Sequence, residues 1–421
     1  MGQKPEWGAC VPVTKNKYRV VFVAPSSFFY QAPIYRELAS HPRIQLIVYF
    51  CSDEAVRGVD VRMKFQTAGQ WGDKGKTLEG YEYKFLKNFS PHPSYLRWPF
   101  GLMNFGIWWE IKKSKPDAVV IMSWVNITDL ISILACMIFR SPLLFMTDAN
   151  ILAEAERQKW KYQVKKLFLG KILFRLAAGF LHTGTANSLF YQRYGVSEER
   201  LVPFAFSWES KDFLRDADRL RSQRTQIRTE LGISQESSVV LYCGRLSPEK
   251  APLHLLKAYE LVRTAHKVLL FVGDGGLKRE LENYATERQI PSVHFLGFKN
   301  RTEVAKFYTI ADVLVLPSIR EATGAVVTEA MSFGLPVIVS NKVGFAIDLV
   351  KHGSNGFIFP VGDTEALAGY ITQVIEASEE KKAGMANQSR KLVEEWSQLN
   401  LAESLLKHLD FIYSAKGSNA G

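Results

Sequence analysis

The sequence has few of the features that mark disulfide-linked, zinc-bound or membrane-spanning proteins. Its four cysteines, Cys10, Cys51, Cys136 and Cys243, are widely spaced and form no CxxC pair, which excludes a disulfide framework and a zinc ribbon. The longest apolar run, at 130–139, is too short to span a bilayer. We therefore expect a reducing compartment and no membrane-spanning segment.

Targeting signals are also absent from the start of the sequence. The first ten residues, MGQKPEWGAC, lack the apolar core that a signal peptide needs, and Glu6 does not fit the N-myristoylation pattern. These absences favour a cytoplasmic protein.

Acidic residues are scarce in the first half of the chain. Residues 1–205 contain 27 Lys and Arg against 16 Asp and Glu, whereas residues 206–421 contain 26 of each, so the whole formal charge of +11 lies in the first half. Either this half faces an anionic acceptor, an anionic lipid surface or nucleic acid, or it is a generally solvated basic surface. No nucleic-acid reader motif accompanies the charge, so we expect no nucleic-acid partner.

Short β-branched runs alternate with stretches of helical length along the chain. The predicted strands are 18–24, 44–49, 117–122 and 142–146 in the first half, and 238–243, 267–272, 293–296, 313–316, 336–339 and 357–359 in the second. Such alternation indicates parallel sheets covered by helices on both faces. The glycine-rich polar stretch 53–80 is predicted to be a loop or a small insertion.

A charged segment at 211–228 separates the two patterns and marks a domain boundary. The sequence therefore predicts an α/β fold with two Rossmann-like parallel-sheet domains, 1–210 and 211–395, facing each other across a cleft. The turn after the first strand, at 24–31, has no GxGxxG, which disfavours a dinucleotide oxidoreductase.

Two cations and a glycine turn follow predicted strands of the second half. Ligands of open parallel sheets bind at the carboxyl ends of the strands. Arg245 and Lys250 follow strand 238–243, and the glycine turn 273–276 follows strand 267–272. Backbone N–H groups of such a turn can cradle phosphate or sugar oxygens. Either the two cations bind a diphosphate, or they are two ordinary solvated side chains of a loop.

Two carboxylates follow the strand predicted at 313–316. Glu321 lies in the loop and Glu329 lies eight positions on, in the first turns of a helix, so the pair can straddle one ligand. Carboxylates accept paired hydrogen bonds from vicinal hydroxyls of ribose or hexose, although a helical Glu is normally a surface residue. Together with the cations they describe a nucleotide-sugar pocket.

These motifs resemble the donor half of the retaining GT-B glycosyltransferases of family 4. The resemblance covers about 238–378 and rests on GRLSPEK, FVGDGG, ADVLVLPSIREATGAVVTEAMSFGLPVIVS and HGSNGFIFPVGDTEALA, in the family's order. It implies transfer of a hexose from a nucleoside diphosphate sugar to a hydroxyl of a saccharide or lipid-linked acceptor, with no metal or other cofactor. Alternatives are a nucleotide-sugar epimerase on the same fold and a non-catalytic sugar-nucleotide-binding subunit.

The resemblance also implies roles for individual residues. Three of them would be catalytic, Arg245 and Lys250 by neutralising the diphosphate and Glu321 by holding the donor sugar. Glu329 would hold the ribose. The implied donor-binding residues are Gly244, Gly273, Gly275, Phe298, Lys299, Gly324, Ala325 and Glu329, with Phe298 and Lys299 bordering the nucleobase. The last segment, 396–421, would form a helix that crosses back to the N-terminal domain. One departure is Ala251, where the family usually has glycine.

The first half departs further from the family. The double-glycine loop after the first strand is absent, and Trp124 stands where the family often has histidine. Asp148, after strand 142–146, is predicted to lie near the acceptor hydroxyl as a catalytic carboxylate, or else to be a helix N-cap. His182 is a second candidate, with a structural role as its alternative.

Two further segments allow a functional and a structural interpretation. Asp216-Ala217-Asp218 spells the metal-binding pair of GT-A enzymes, but no apolar strand precedes it, so we predict a solvated helix face and no metal site. The stretch 157–178 interleaves basic with aromatic and apolar residues. It predicts a basic amphipathic helix that either rests on an anionic membrane or packs its apolar stripe into the core.

Overall fold

The computed structural model describes residues 15–57, 76–154, 159–204 and 210–418. Cys10 and most of the stretch predicted as a loop at 53–80 lie outside these residues. The first half forms a seven-stranded parallel sheet in the order β3-β2-β1-β4-β5-β6-β7. Its strands are β1 (Tyr18–Ala24), β2 (Ile44–Phe50), β3 (Glu82–Phe85), β4 (Ala118–Ile121), β5 (Leu143–Met146), β6 (Gly179–His182) and β7 (Leu201–Pro203).

The second half forms a six-stranded parallel sheet in the order β10-β9-β8-β11-β12-β13. Its strands are β8 (Ser238–Cys243), β9 (Lys267–Val272), β10 (Val293–Phe295), β11 (Val313–Leu316), β12 (Val337–Ser340) and β13 (Gly356–Phe359). The predicted pair of parallel sheets is confirmed. In each sheet the strand order reverses beside the first strand, between β1 and β4 and between β8 and β11, and a ligand crevice opens at such a point.

Helices cover both sheets. Those of the first half are α1 (Ala32–Ser40), α2 (Glu54–Arg57), α3 (Ile107–Ser114), α4 (Ile127–Ile138), α5 (Lys159–Lys166) and α6 (Thr185–Arg193). Those of the second half are α7 (Ser210–Leu220), α8 (Arg224–Glu230), α9 (Pro252–Leu261), α10 (Lys278–Glu287), α11 (Arg301–Ile310), α12 (Ala325–Ser332), α13 (Ala346–Leu349), α14 (Thr364–Ile375), α15 (Glu379–Ser397) and α16 (Leu401–Ser418).

Burial on both faces explains the continuous apolar runs of the central strands. Along β1, Val21 and Val23 pack into the same core as α3 and α4, whereas Val20 and Phe22 pack against α1 on the opposite face. Neither face of such a strand meets solvent, so its sequence is a continuous run of apolar residues. This is why β1, β8, β9 and β11 are recovered from the sequence with their observed bounds.

The last helix returns to the first sheet. Leu401, Leu405 and Leu409 of α16 are buried in the core that contains β1 and α1. Asp410 accepts a hydrogen bond from the Tyr18 hydroxyl at 2.7 Å and forms an ion pair with Arg43 at 2.9 Å. The helix expected from residue 396 is interrupted, because α15 ends at Ser397 on the second sheet and α16 begins four residues later, at Leu401.

No helix in the described part of the chain combines the length and apolar character needed to cross a membrane. The three cysteines in this part, Cys51, Cys136 and Cys243, are buried free thiols.

Two histidines that are shielded from water make the folded protein less stable in acid. His182 ends β6 and His408 lies on α16 with Nε2 3.2 Å from the Ala178 carbonyl, and burial lowers the pKa of each from about 6.5 to about 4. Between pH 6.5 and pH 4 these histidines are protonated in the unfolded chain but not in the folded chain. We therefore expect the free energy of unfolding to fall as the pH drops from 6.5 towards 4, by about 1.4 kcal/mol per pH unit for each histidine.

Denaturant titrations over this pH range measure that slope. The variant His408→Gln should unfold with a pH slope smaller by about one proton than the parent protein, whatever its stability at neutral pH. If the free energy of unfolding of this variant changes with pH as steeply as that of the parent, burial does not lower the pKa of His408.

Candidate active site

The crevice of the second sheet lies between the loops that follow β8 and β11. The loop after β8 carries Arg245, which is exposed, and Lys250, which is half-buried. The loop after β11 reaches across to it, because the N–H of Ile319 donates to the Glu249 carbonyl at 2.9 Å. Lys250 forms an ion pair with Glu321 of that second loop. Residues 71 positions apart are thus joined at the point where the strand order reverses.

Both side chains of the ion pair are partly shielded from water. The side chain of Lys250 keeps 26% of its accessible surface and that of Glu321 keeps 13%. Charges in such a position interact more strongly than exposed ones, since less water screens them. The structure therefore brings together two of the four residues predicted to be catalytic, and it places them at the edge where ligands of parallel sheets bind.

Ala251 takes up a left-handed backbone conformation directly after Lys250. Its φ is 49°, and it precedes the first turn of α9. Glycine adopts this conformation without the steric cost that a Cβ brings. The departure from the resembling family at this position is therefore an alanine in a backbone conformation that glycine adopts more easily.

The glycine turn after β9 packs against the loop after β8. A Cβ built on Gly273 would lie 1.9 Å from the Gly244 carbonyl oxygen, and one built on Gly275 would lie 2.3 Å from the Leu246 carbonyl oxygen. The N–H of Gly273 donates to the Gly297 carbonyl at 2.9 Å, and the N–H of Gly275 donates to the Asp274 carboxylate at 2.7 Å. The glycines therefore permit close approach of two loops, and these two N–H groups already have partners within the protein.

Gly324 and Ala325 begin α12 beside Glu321. Gly324 has a φ of 96° and caps the helix, and a Cβ at this position would lie 2.8 Å from Val343. Glycine is required here by both the backbone conformation and the space. The first turn of α12 thus points at the loop that holds Glu321, as expected for a pocket that binds anions or sugar hydroxyls.

Glu329 is held by a residue that the sequence did not single out. It lies on α12, half-buried, and its Oε2 accepts a hydrogen bond of 2.7 Å from the hydroxyl of Tyr308 on α11. Tyr308 is fully buried, and burial raises its pKa well above the usual value, so it remains a donor. Cys243, at the end of β8, is buried close by, and burial raises its pKa to about 12. Tyr308 therefore fixes the carboxylate predicted to hold ribose.

Phe298 and Lys299 lie beside the glycine turn. They follow β10 and Gly297, whose carbonyl accepts the Gly273 N–H, and both side chains are half-buried. This position next to the loops after β8 and β9 is compatible with the predicted border of a nucleobase site, and that role stays a prediction.

The loop after β5 contacts the second domain through Asn150. Asn150 is buried; its Oδ1 accepts from the Ala153 N–H at 2.8 Å, and its Nδ2 donates to the Ala322 carbonyl at 2.9 Å. Asn150 is therefore the cap of the short helix that follows, which corrects the capping alternative for Asp148. Asp148 is exposed two residues earlier, on a loop that touches the neighbour of Glu321.

His182 is a half-buried, neutral group. Its Nδ1 lies 3.3 Å from the Gly184 carbonyl, and its lowered pKa of about 4 keeps the ring uncharged at neutral pH. Just beyond it, the Thr185 N–H and hydroxyl, at the first turn of α6, donate to the Asp348 carboxylate of the second domain at 3.0 and 2.5 Å. Burial raises the pKa of Asp348. The strand of His182 thus leads into a contact that joins the two domains.

The Asp216-Ala217-Asp218 motif lies on helix α7, in agreement with the helix predicted for it. Asp216 pairs with Arg219 and Arg301, and Asp218 pairs with Arg390. Within the described ranges no three His, Cys, Asp or Glu side chains gather in a way that would hold a metal ion.

Comparison with known proteins shows what the second half of the chain is similar to. Residues 223–392 match the model of the family described as glycosyl transferases group 1. The sulfoquinovosyl transferase SQD2 of Arabidopsis thaliana is 35% identical over 200 residues, which are 47% of this chain and 34% of that one. An Escherichia coli UDP-Gal:alpha-D-GlcNAc-diphosphoundecaprenol alpha-1,3-galactosyltransferase is 33% identical over 152 residues, 35% of this chain and 38% of its own. The chain spans about half the length, or less, of the curated relatives that it matches.

The similarity of fold extends over both sheets. The structure of Anabaena Alr3699/HepE in complex with UDP and glucose superposes with a TM-score of 0.64 at 19% identity, covering 96% of this chain and 100% of that one. The two parallel-sheet domains form a GT-B fold, which confirms the fold class predicted from the sequence.

Proposed function

We propose that this chain, whose residues 223–392 match the model of the glycosyl transferases group 1 family, transfers a hexose from a nucleoside diphosphate sugar to an acceptor hydroxyl. The acceptor is a saccharide or a lipid-linked saccharide, and the anomeric configuration is retained. The observation that carries this proposal is the Lys250–Glu321 ion pair, which joins the loops after β8 and β11 at the crevice of the second sheet.

A bound donor would exchange that ion pair for contacts of its own. The ammonium of Lys250 would meet the diphosphate, together with Arg245, and the carboxylate of Glu321 would be released to accept from sugar hydroxyls. Negative charge builds on the diphosphate as the glycosidic bond breaks, and preorganised cations lower the energy of that transition state. Glu329, held by Tyr308, would accept from the ribose hydroxyls.

Contacts between the two domains support an acceptor site in the first. Asn150 and Thr185 both follow strands of the first sheet at their carboxyl ends, and both bind residues of the second domain, Ala322 and Asp348. An acceptor hydroxyl held near Asp148 would therefore face the loop that carries Glu321.

Incubation of the full chain with a panel of nucleotide sugars tests the proposal. We expect at least one donor to raise the melting temperature and to be consumed, with release of nucleoside diphosphate that depends on an added acceptor. NMR of the product gives the configuration of the new linkage. A product that forms without any acceptor would indicate an epimerase instead, and a panel that neither shifts melting nor reacts would contradict the proposal.

The same assay in excess chelator tests the role assigned to the cations. Lys250 and Arg245 meet the diphosphate in place of a metal, so turnover should be unchanged by chelation. Complete loss of activity in chelator, with recovery on adding magnesium or manganese, would reject this part of the proposal.

A further inference from the structure

Helix α4 carries apolar residues on its exposed face as well as on its buried face. Thr128, Asp129 and Ser132 are buried, and hydrogen bonds satisfy them, for example between the Thr128 hydroxyl and the Asn104 side chain at 2.9 Å. Leu134 and Ile138, by contrast, are about half exposed, at 49% and 56%. An apolar stripe turned towards solvent costs free energy in water, so a stripe of this kind marks a surface that meets another apolar phase.

Two neighbouring segments continue this apolar surface. In the loop before α3, Trp98 keeps 71% of its accessible surface and Phe100 keeps 63%. Beyond α5 the chain continues as a π-helical turn, Leu167–Ile172, which buries Leu169 in the core and turns Phe168 outward. We name the exposed apolar residues of 96–109, 125–138 and 164–172 the apolar plateau. The segment predicted as one helix at 157–178 thus consists of α5, this π-helical turn and a short 3-10 turn over 159–175, with apolar residues both in the core and in solvent.

The three segments form one continuous surface. The N–H of Ile127, at the start of α4, donates to the Pro99 carbonyl at 3.0 Å. Trp108 of α3 packs edge-on against Phe139 at the end of α4, with ring centroids 5.1 Å apart. All three segments pack on the same face of the seven-stranded sheet, because their inward residues share one core.

A hollow connects the plateau to the carboxyl edge of the first sheet. It has a volume of about 300 Å³ and is lined by Trp98, Pro99, Trp124, Val125, Lys165, Phe168 and Leu169. Trp124 follows β4, one of the two strands that flank the crevice of this sheet. A chain of apolar groups lying in the hollow would therefore point towards the domain cleft.

The rim of the plateau is positively charged. Within 96–115, 125–140 and 162–176 there are nine Lys and Arg residues and two acidic ones. Asp129 is buried as part of a capping box, and Glu110 is paired with Lys84. Eight of the basic side chains are exposed, namely Arg97, Lys112, Lys113, Lys115, Arg140, Lys166, Lys171 and Arg175.

We propose that the apolar plateau docks the protein onto the surface of a bilayer that contains anionic lipid. Tryptophan and phenylalanine at the level of the headgroups, with lysine and arginine around them, are the pattern of proteins that lie in a membrane interface. Each basic residue near an anionic surface adds attraction that salt screens, and the apolar stripe of α4 adds burial that salt does not weaken. The charge of the rim would oppose docking of a second copy of the same surface.

Sedimentation of the full chain with vesicles tests this docking. We expect binding to vesicles of mixed phosphatidylcholine and phosphatidylglycerol at low salt, much weaker binding to phosphatidylcholine alone, and partial release at high salt. The double variant Leu134→Ser/Met137→Ser should bind at least about tenfold more weakly, because both side chains leave the apolar phase. Both are already exposed to solvent, so the fold should be retained, which circular dichroism and a melting curve check.

A matched control and a second variant separate the two contributions. Leu231→Ser/Leu261→Ser removes two comparably exposed leucines from the second domain and should leave vesicle binding unchanged. Lys166→Gln/Lys171→Gln/Arg175→Gln should weaken binding at low salt by about tenfold or more and reduce its salt dependence. Trp98 should also become accessible to quenching by brominated lipid.

The proposal is overturned if the full chain ignores anionic vesicles at low salt, or if the Leu134 and Met137 variant binds as tightly as its parent. A dimer in solution that the same variant converts to a monomer would assign the plateau to a second copy instead and would equally reject membrane docking. Vesicle binding is measured without donor or acceptor, so its outcome is independent of the proposed transfer reaction.

Discussion

Replacing Lys250 with alanine is expected to lower the turnover of the proposed sugar transfer by about 10²- to 10³-fold. The ammonium is half-buried beside Glu321, in the crevice where the diphosphate would leave, so its removal takes away a cation that little water screens. The loss should appear mainly in kcat, because the charge on the diphosphate is greatest in the transition state. Steady-state kinetics with the donor identified by screening measure both constants.

The interpretation requires that the loss does not come from unfolding. Removing Lys250 leaves the carboxylate of Glu321 partly buried without its cation, which itself destabilises the loop. The double variant Lys250→Ala/Glu321→Gln removes that stranded charge, so it should regain stability but not activity. Lys257→Ala, an exposed lysine on the adjacent helix α9, provides the matched control and should keep normal turnover. Near-normal turnover of the Lys250 variant would reject the donor site proposed here.

Arg245 differs from Lys250 in its environment. It is exposed in the unliganded chain, whereas Lys250 is shielded. A shielded charge acts with less screening, so Arg245→Ala should cost less than Lys250→Ala if the two cations share one diphosphate. The order of the two effects therefore reports which cation lies nearer the breaking bond.

The second sheet is recoverable from sequence because its central strands are buried on both faces. β8, β9 and β11 consist almost entirely of buried apolar residues, and runs of four to six residues are the length of a strand rather than of a helix. β3 is missed for the opposite reason. It is an edge strand of sequence EYKF with three exposed residues, and local composition does not distinguish it from a loop.

The candidate site is only partly recoverable, since its supporting contacts are distant in sequence. Lys250 and Glu321 stand out because each follows a recognisable strand. Tyr308 and Asn150 do not, because their partners, Glu329 and Ala322, lie 21 and 172 positions away. Nothing in the local pattern of a buried tyrosine or of an asparagine in a loop specifies such a partner.

Periodicity also leaves the orientation of α4 undecided. The apolar run at 130–139 contains both the buried Ile133 and the exposed Leu134, and both stripes of the helix are rich in apolar residues. Among the buried polar residues, Thr128 bonds to Asn104, which lies in a loop 24 positions earlier, whereas Asp129 and Ser132 have partners within the helix and its cap. The choice of the inward face therefore depends on a long-range hydrogen bond.

The glycine turn after β9 offers a graded test of what its glycines do. Gly273→Ala should lower the free energy of unfolding by at least about 3 kcal/mol, or prevent folding of the second domain. Two penalties combine at this position: φ is 140°, which a residue with a Cβ rarely adopts, and the new methyl would overlap the Gly244 carbonyl oxygen at 1.9 Å. Since that oxygen belongs to the backbone, no rotation of a side chain can relieve the overlap.

Two neighbouring glycines separate these penalties. Gly275 has no left-handed φ, but its Cβ would lie 2.3 Å from the Leu246 carbonyl oxygen, so Gly275→Ala should show the steric cost alone, about 1–3 kcal/mol. Gly276 is exposed with nothing within 4 Å, and Gly276→Ala should change stability by less than about 0.5 kcal/mol. Denaturant unfolding of the three variants gives the order, and limited proteolysis replaces it for any variant that does not fold. If Gly276→Ala were as damaging as Gly273→Ala, the glycines would be needed for something other than the close packing of the two loops.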